Sequence, residues 1–212
     1  MKLREEFITR TNETRAFKLP YPVLGLTGGI ATGKSTVARF LKSRGLPLID
    51  ADALIKKIYQ SQETKDFIAK NYPAGIKNNE ILFPLLREIF FNTPEAKRAI
   101  EAHLGQSLPH YFQEELKKLG PIDVLIYDVP LLFERGLEDK VDQTVVVYAP
   151  RETQIARLLN RDGGQRELAE KILESQMDIE EKKIRADILI DNSRTEAELE
   201  LDLENFLKKY FI

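Results

Sequence analysis

The 212-residue chain has no cysteine. That excludes disulfides, thiol nucleophiles and Cys-ligated zinc, and suits a reducing compartment. It has no apolar run near the roughly 18–20 residues that cross a bilayer, so no membrane is expected. Its first twenty residues lack an apolar core and carry Glu5, Glu6 and Glu13, so a secretory or organelle-targeting segment is not expected either. An excess of one charge is also missing: 32 basic residues stand against 34 acidic ones, for a formal net charge of -2. Nucleic-acid binders usually carry a clear basic excess, so no nucleic acid is expected as a partner. Internal repeats and low-complexity tracts are absent as well. What remains is 42% hydrophobic and 31% charged, a composition that can bury a sizeable core. The length suits one large domain or a core with an insertion. A cytoplasmic globular protein is expected.

Residues 1–20 are polar and lead to Leu19-Pro20-Tyr21-Pro22, so they read as an N-terminal extension ahead of a working domain at 21–212. An apolar run at 23–27, a Gly-rich turn and an amphipathic stretch at 34–43 predict strand, loop and helix. Gly45 stops that helix, and 46–49 is a second short strand ending in Asp50-Ala51-Asp52. Helix-like spacing then takes over at 53–59, 63–70, 82–91 and 94–119, with Thr93 a predicted N-cap and Pro94 at the first helical position. This predicts a mostly helical insertion at about 60–119. Strands return at 122–127, 144–149 and 188–190, with helices near 151–160 and 196–210. Short Val/Ile/Leu runs without alternation are the pattern of parallel strands buried on both faces. Their alternation with helices predicts a doubly wound α/β sheet of about five strands.

Gly28-Gly29-Ile30-Ala31-Thr32-Gly33-Lys34-Ser35 fits G-x-x-x-x-G-K-[ST] at every fixed position. Glycines let such a loop wrap tightly, so that backbone N–H groups converge on phosphate oxygens at the positive end of the next helix. Lys34 supplies a point charge for the β- and γ-phosphates, and the Ser35 hydroxyl can ligate Mg²⁺. The motif alone fits a GTPase, an ATPase motor or a small-molecule kinase. No N-K-x-D guanine motif occurs, and the chain is small for a motor. In an open α/β sheet the carboxyl edge faces the ligand crevice. Asp50 and Asp52 are therefore expected to point toward the transferred phosphoryl group, as a base, as metal holders or as helix caps.

Taken with Thr36, Asp50-Ala51-Asp52, Val129-Pro130-Leu131-Leu132-Phe133-Glu134, Arg157, Arg161-Asp162, Gln176, Ala186-Asp187 and Ile190-Asp191-Asn192, the loop resembles the dephospho-coenzyme A kinases. These are P-loop small-molecule kinases, and the stretches run in family order over nearly the whole chain after residue 21. The resemblance implies phosphoryl transfer from ATP, with Mg²⁺, to the ribose 3′-hydroxyl of dephospho-CoA. Its partners would be those small molecules, with no obligate protein partner evident. It implies Asp52 as the base, Thr27 as a group that positions acceptor or phosphates, and Leu132, Phe133 and Glu134 in the acceptor pocket. It places Asn192 near the adenine, and residues 28–36 around the phosphates. Arg157 and Arg161 lie four apart and share a helix face, as a lid over the phosphates requires. The lid is expected at about 151–183, with Arg161-Asp162-Gly163-Gly164 as its mobile loop. Asp128 ends a strand where a carboxylate would hold magnesium or its water, or serve the strand end alone.

The chain also departs from the family pattern. Phe83 stands at a position where the family usually has Arg, and Gly105-Gln106 where it has His-Pro. His103 and His110 lie out of register and are expected on the surface. These replacements bear on acceptor binding, not on phosphoryl transfer. A kinase of another nucleoside or nucleotide is the alternative within enzymes. An ATP-binding regulatory module is the alternative outside them, and it would not need the base or lid charges.

Overall fold

The computed structural model describes residues 1–161 and 163–212. Asp162, expected in the lid loop, lies outside the described residues. Among the described residues, five strands form a wholly parallel sheet in the order β2-β5-β1-β6-β7, comprising β1 (Val23–Gly28), β2 (Leu48–Asp50), β5 (Leu125–Asp128), β6 (Gln143–Tyr148) and β7 (Ile188–Asp191). All six residues of β1 are buried, as a central strand with both faces covered must be. The register sets Leu26 and Asp50 beside Asp128, Gly28 beside Val147 and Tyr148 beside Asp191. The carboxyl ends of the strands therefore form one edge carrying Asp50, Asp128 and Asp191. Chain winding reverses beside β1, which leads toward β2 on one side and has β6 on the other.

The sheet is wrapped by α1 (Lys34–Ser43), α6 (Arg151–Asp162), α7 (Arg166–Glu174), α8 (Ile179–Arg185) and α9 (Glu196–Tyr210). Leu24, Leu26, Val37, Leu41, Val145 and Leu203 are at most 2% exposed within one apolar cluster. Burying each such side chain stabilises by about 1.5–3 kcal/mol. α9 opens with a capping box, in which Thr195 Oγ1 accepts from Glu198 N and the Glu198 carboxylate accepts from Thr195 N.

The chain divides into two compact units, one of residues 1–50 with 121–212 and one of residues 51–120. The second holds α2 (Ala51–Gln60), α3 (Gln62–Asn71), the hairpin of β3 (Ile76–Lys77) and β4 (Glu80–Ile81), α4 (Phe83–Asn92) and α5 (Pro94–Leu119). It has its own core of Ile58, Ile68, Leu86, Ile100 and Leu104. Its boundary falls at Ala51 rather than near 60, because α2 starts directly after β2 with no Gly or Pro to break the chain. Thr93 makes no capping hydrogen bond. His103 is not a free surface residue: it hydrogen-bonds Thr64 at 3.0 Å and stacks on Phe67 at 4.3 Å, whereas His110 is exposed.

Residues 1–20, the expected N-terminal extension, pack against the sheet unit. Leu3 pairs antiparallel with Phe211, and the Phe7 ring lies 4.5 Å from that of Tyr210. Arg15 reaches Asp142 at 2.7 Å with both side chains at most 3% exposed. The same carboxylate accepts from the backbone N–H of Thr9, Arg10 and Val23 at 2.8–3.1 Å. A polar composition hid this arrangement because the partners lie more than a hundred residues away.

Candidate active site

In the sheet unit, β1 ends at Gly28, residues 29–33 turn, and α1 begins at Lys34. Gly33 has φ +90°, and a Cβ there would sit 2.1 Å from Asn192 Nδ2, so only glycine fits. Ala31 adopts φ 59°, a left-handed conformation that costs a non-glycine residue about 1–2 kcal/mol. The surrounding bonds hold it there. Arg157 donates to Ala31 O and Thr32 O at 3.3 and 3.2 Å and to Asn192 O at 2.8 Å. Asn192 Nδ2 donates to Thr32 O at 2.7 Å, and Gln154 donates to Ile30 O at 2.6 Å. Gln176 accepts from Ile30 N at 3.1 Å. The loop is thus braced from outside, while the first-turn N–H groups of α1, at Lys34 and Ser35, have no acceptor within the helix and form its positive end.

Lys34 Nζ meets Asp128 Oδ1 at 2.5 Å. Asp128 is 4% exposed, so a strand-end carboxylate and the loop lysine share one partly buried spot. Ser35 lies in the first turn of α1. Ser35 and Asp128 are hard oxygen donors of the kind Mg²⁺ accepts, and that ion takes few protein ligands when phosphates supply the rest. Among the described residues no group of three His, Asp or Glu forms a self-sufficient metal cage. Thr27 is fully buried and donates to Pro130 O at 3.0 Å, which ties β1 to the turn after β5.

The three residues expected in the acceptor pocket, Leu132, Phe133 and Glu134, follow the end of β5. Leu132 is 0% exposed and packs where a Cβ on Gly25 would be, and Phe133 is 4% exposed beneath the Arg185 guanidinium, 4.8 Å from its ring. Both side chains are packed because the tight turn folds back on β1. Glu134 pairs with Lys182 at 2.8 Å and accepts from Met177 N at 3.0 Å. Burial pushes the Glu134 carboxyl up, but the bonds from Lys182 and Met177 outweigh it and hold it below the usual carboxylate range. Arg157, on α6, grips the loop backbone. Arg161, one turn further along α6, is exposed. A cleft of about 360 Å³ beside the loop is lined by Gly33, Thr36, Arg157, Asn192, Arg194, Glu196 and Leu199.

Asp52 belongs to the helical unit, exposed in the first turn of α2, where an acid suits the helix N-terminus. It lines a cleft of about 760 Å³. One part of that lining is apolar, with Ile55, Tyr59, Ile81 and Phe83, and the Tyr59 and Phe83 rings meet edge to face at 5.2 Å. Burial and the charge of Glu101 push the Tyr59 hydroxyl up, so it stays neutral. Lys56, Lys65 and Arg87 supply three cations against Asp52 and Glu80. Arg87 stands one helical turn after Phe83, so the cleft keeps a guanidinium although Phe83 is not one.

Sequence reasoning missed Gln154 and Lys182. Gln154 sits in a polar run, and Lys182 in Glu180-Glu181-Lys182-Lys183, which reads as a solvated face. Only the 3.6-residue phase of α8 set against the sheet distinguishes buried Lys182 from exposed Lys183.

A parallel sheet whose first strand runs through a glycine-rich loop into a helix, with the loop lysine on a strand-end aspartate, defines a P-loop nucleotide-binding protein. The sequence matches the dephospho-CoA kinase family over residues 22–198, and the chain belongs to that family. It is 37% identical to the dephospho-CoA kinase of Fusobacterium nucleatum over 186 residues, 87% of this chain and 96% of the relative. It is 40% identical to that of Geobacter metallireducens, over 84% of this chain and 91% of the relative. Among solved structures, a Thermus thermophilus protein superposes with a TM-score of 0.79 at 32% identity, covering 89% of this chain and 98% of that one. The dephospho-CoA kinase of Campylobacter jejuni gives 0.65 at 29%, covering 88% and 96%.

Proposed function

We propose that the protein transfers the γ-phosphoryl group of ATP to the ribose 3′-hydroxyl of dephospho-CoA, forming coenzyme A and ADP in the cytoplasm. The observation that carries this reading is the braced phosphate loop with Lys34 on Asp128, in a chain of this family. The hydroxyl oxygen attacks the γ-phosphorus, the bond to the β–γ bridging oxygen breaks, and the hydroxyl proton passes to Asp52. Lys34 leaves Asp128 for the phosphates, and the loop amides and α1 N-terminus take the remaining phosphate charge. Magnesium held by Ser35 and Asp128 would supply charge neutralisation at the phosphates. Arg157 and Asn192 keep the loop in one geometry, with the adenine in the 360 Å³ cleft. Arg161 adds lid charge over the transferring group.

The cleft that carries Asp52 has the chemistry of the acceptor: cations for a diphosphate and an apolar wall for uncharged parts. No separate observation favours another nucleoside or nucleotide as acceptor. A coupled ADP-release assay with dephospho-CoA, adenosine and common nucleotides tests the reading. Turnover is expected with dephospho-CoA. Faster turnover with another acceptor, or ATP binding without turnover on any, overturns it.

A further inference from the structure

Lys182 on α8 is 0% exposed, and no step above uses it. A buried ammonium is costly unless it is paired and hydrogen-bonded. Its Nζ meets Glu134 Oε1 at 2.8 Å, donates to Pro130 O at 3.0 Å and has a longer 3.5 Å contact to Gly28 O. Pro130 O also accepts from Thr27, the residue just before the loop. Glu134 Oε1 in turn accepts from Met177 N, and the adjacent Gln176 accepts from Ile30 N. Ile179, at the start of α8, would meet a Cβ on Gly29 at 3.4 Å. One short stretch, 176–182, thus holds the loop entry at Gly28, Gly29 and Ile30, and the turn after β5 at Pro130 and Glu134. An apolar chain of the same length would fill the space but could bind neither carbonyl.

We infer that Lys182 is a positioning residue of the nucleotide site, fixing the entry of the phosphate loop through Gly28 and Pro130 and locking Glu134 against the same stretch. The inference rests on the loop being the nucleotide site. Lys182 touches no reacting atom; it acts by keeping the loop amides aimed at the phosphates.

The test uses Lys182→Met and the double variant Lys182→Met/Glu134→Gln, with ADP affinity by isothermal titration, kcat and KM with dephospho-CoA, and the thermal midpoint. Lys182→Met is expected to lower kcat about 10²-fold, the scale of a small misplacement, to weaken ADP, and to lower the midpoint. The double variant removes both charges, so its midpoint should return while kcat and ADP affinity stay low. A simple structural ion pair predicts that activity returns with stability, and that result overturns the inference. An insoluble double variant overturns it too, since no unpaired buried charge would remain to prevent folding. The ADP titration needs no acceptor. If the wild-type protein binds ADP yet phosphorylates no acceptor, the proposed function fails while the ADP comparison still decides the role of Lys182.

Discussion

At Lys34 the ammonium lies on Asp128 at 2.5 Å, a pairing it must exchange for phosphate oxygens when nucleotide binds. Lys34→Ala is expected to weaken nucleotide affinity and turnover together, because the charge serves both ground and transition states. Titration with ADP and a coupled assay check this, and near-normal turnover would sink the loop assignment. Asp52 is a different case, since it is exposed on α2 and makes no part of the loop's bracing. Asp52→Asn should reduce kcat by roughly 10²–10⁴-fold, the range of general acid–base catalysis, with ADP affinity kept. Asp50→Asn is the control, and single-turnover kinetics on both variants separate chemistry from binding. If Asp52→Asn keeps most of its turnover, the base is not Asp52.

Among the elements, the N-terminal stretch behaves as part of the sheet unit. Asp142 gathers the Arg15 guanidinium and three backbone N–H groups at a side chain 0% exposed. Arg15→Met would leave that carboxylate buried without its countercharge, a loss of about 3–5 kcal/mol. Urea melts should show the midpoint falling at nearly constant m-value, since the surface exposed on unfolding hardly changes. An unchanged midpoint would mean that residues 1–20 contribute nothing to the folded unit. Helices α6 to α8 are the other revealing elements. Gln154 and Arg157 on α6, Gln176 between α7 and α8, and Lys182 on α8 turn inward to backbone of the loop, of Gly28 and of Pro130.

For the whole molecule, the phosphate loop lies in one unit and the cationic, half-apolar cleft with Asp52 in the other. Hydrogen exchange should therefore separate the ligands. ADP is expected to slow exchange at 28–37 and 190–193, and dephospho-CoA at 51–60 and 80–88; acceptor protection confined to the loop would remove the cleft from the reading. The parallel sheet, the glycine-rich loop and the helical middle were all legible in the sequence. Each is written in neighbouring residues: buried runs such as 144–149, the spacing of Gly28, Gly33, Lys34 and Ser35, and 3.6-residue periodicity at 94–119. Local patterning also sufficed for the family, because its motifs are short and run in order. Tertiary structure alone decided that Leu132 and Phe133 are packed, that Lys182 is buried beside the loop and that Arg15 finds Asp142. Those outcomes depend on which helix face meets which strand across dozens of residues, and a pairing between distant positions leaves no periodic trace in a single chain.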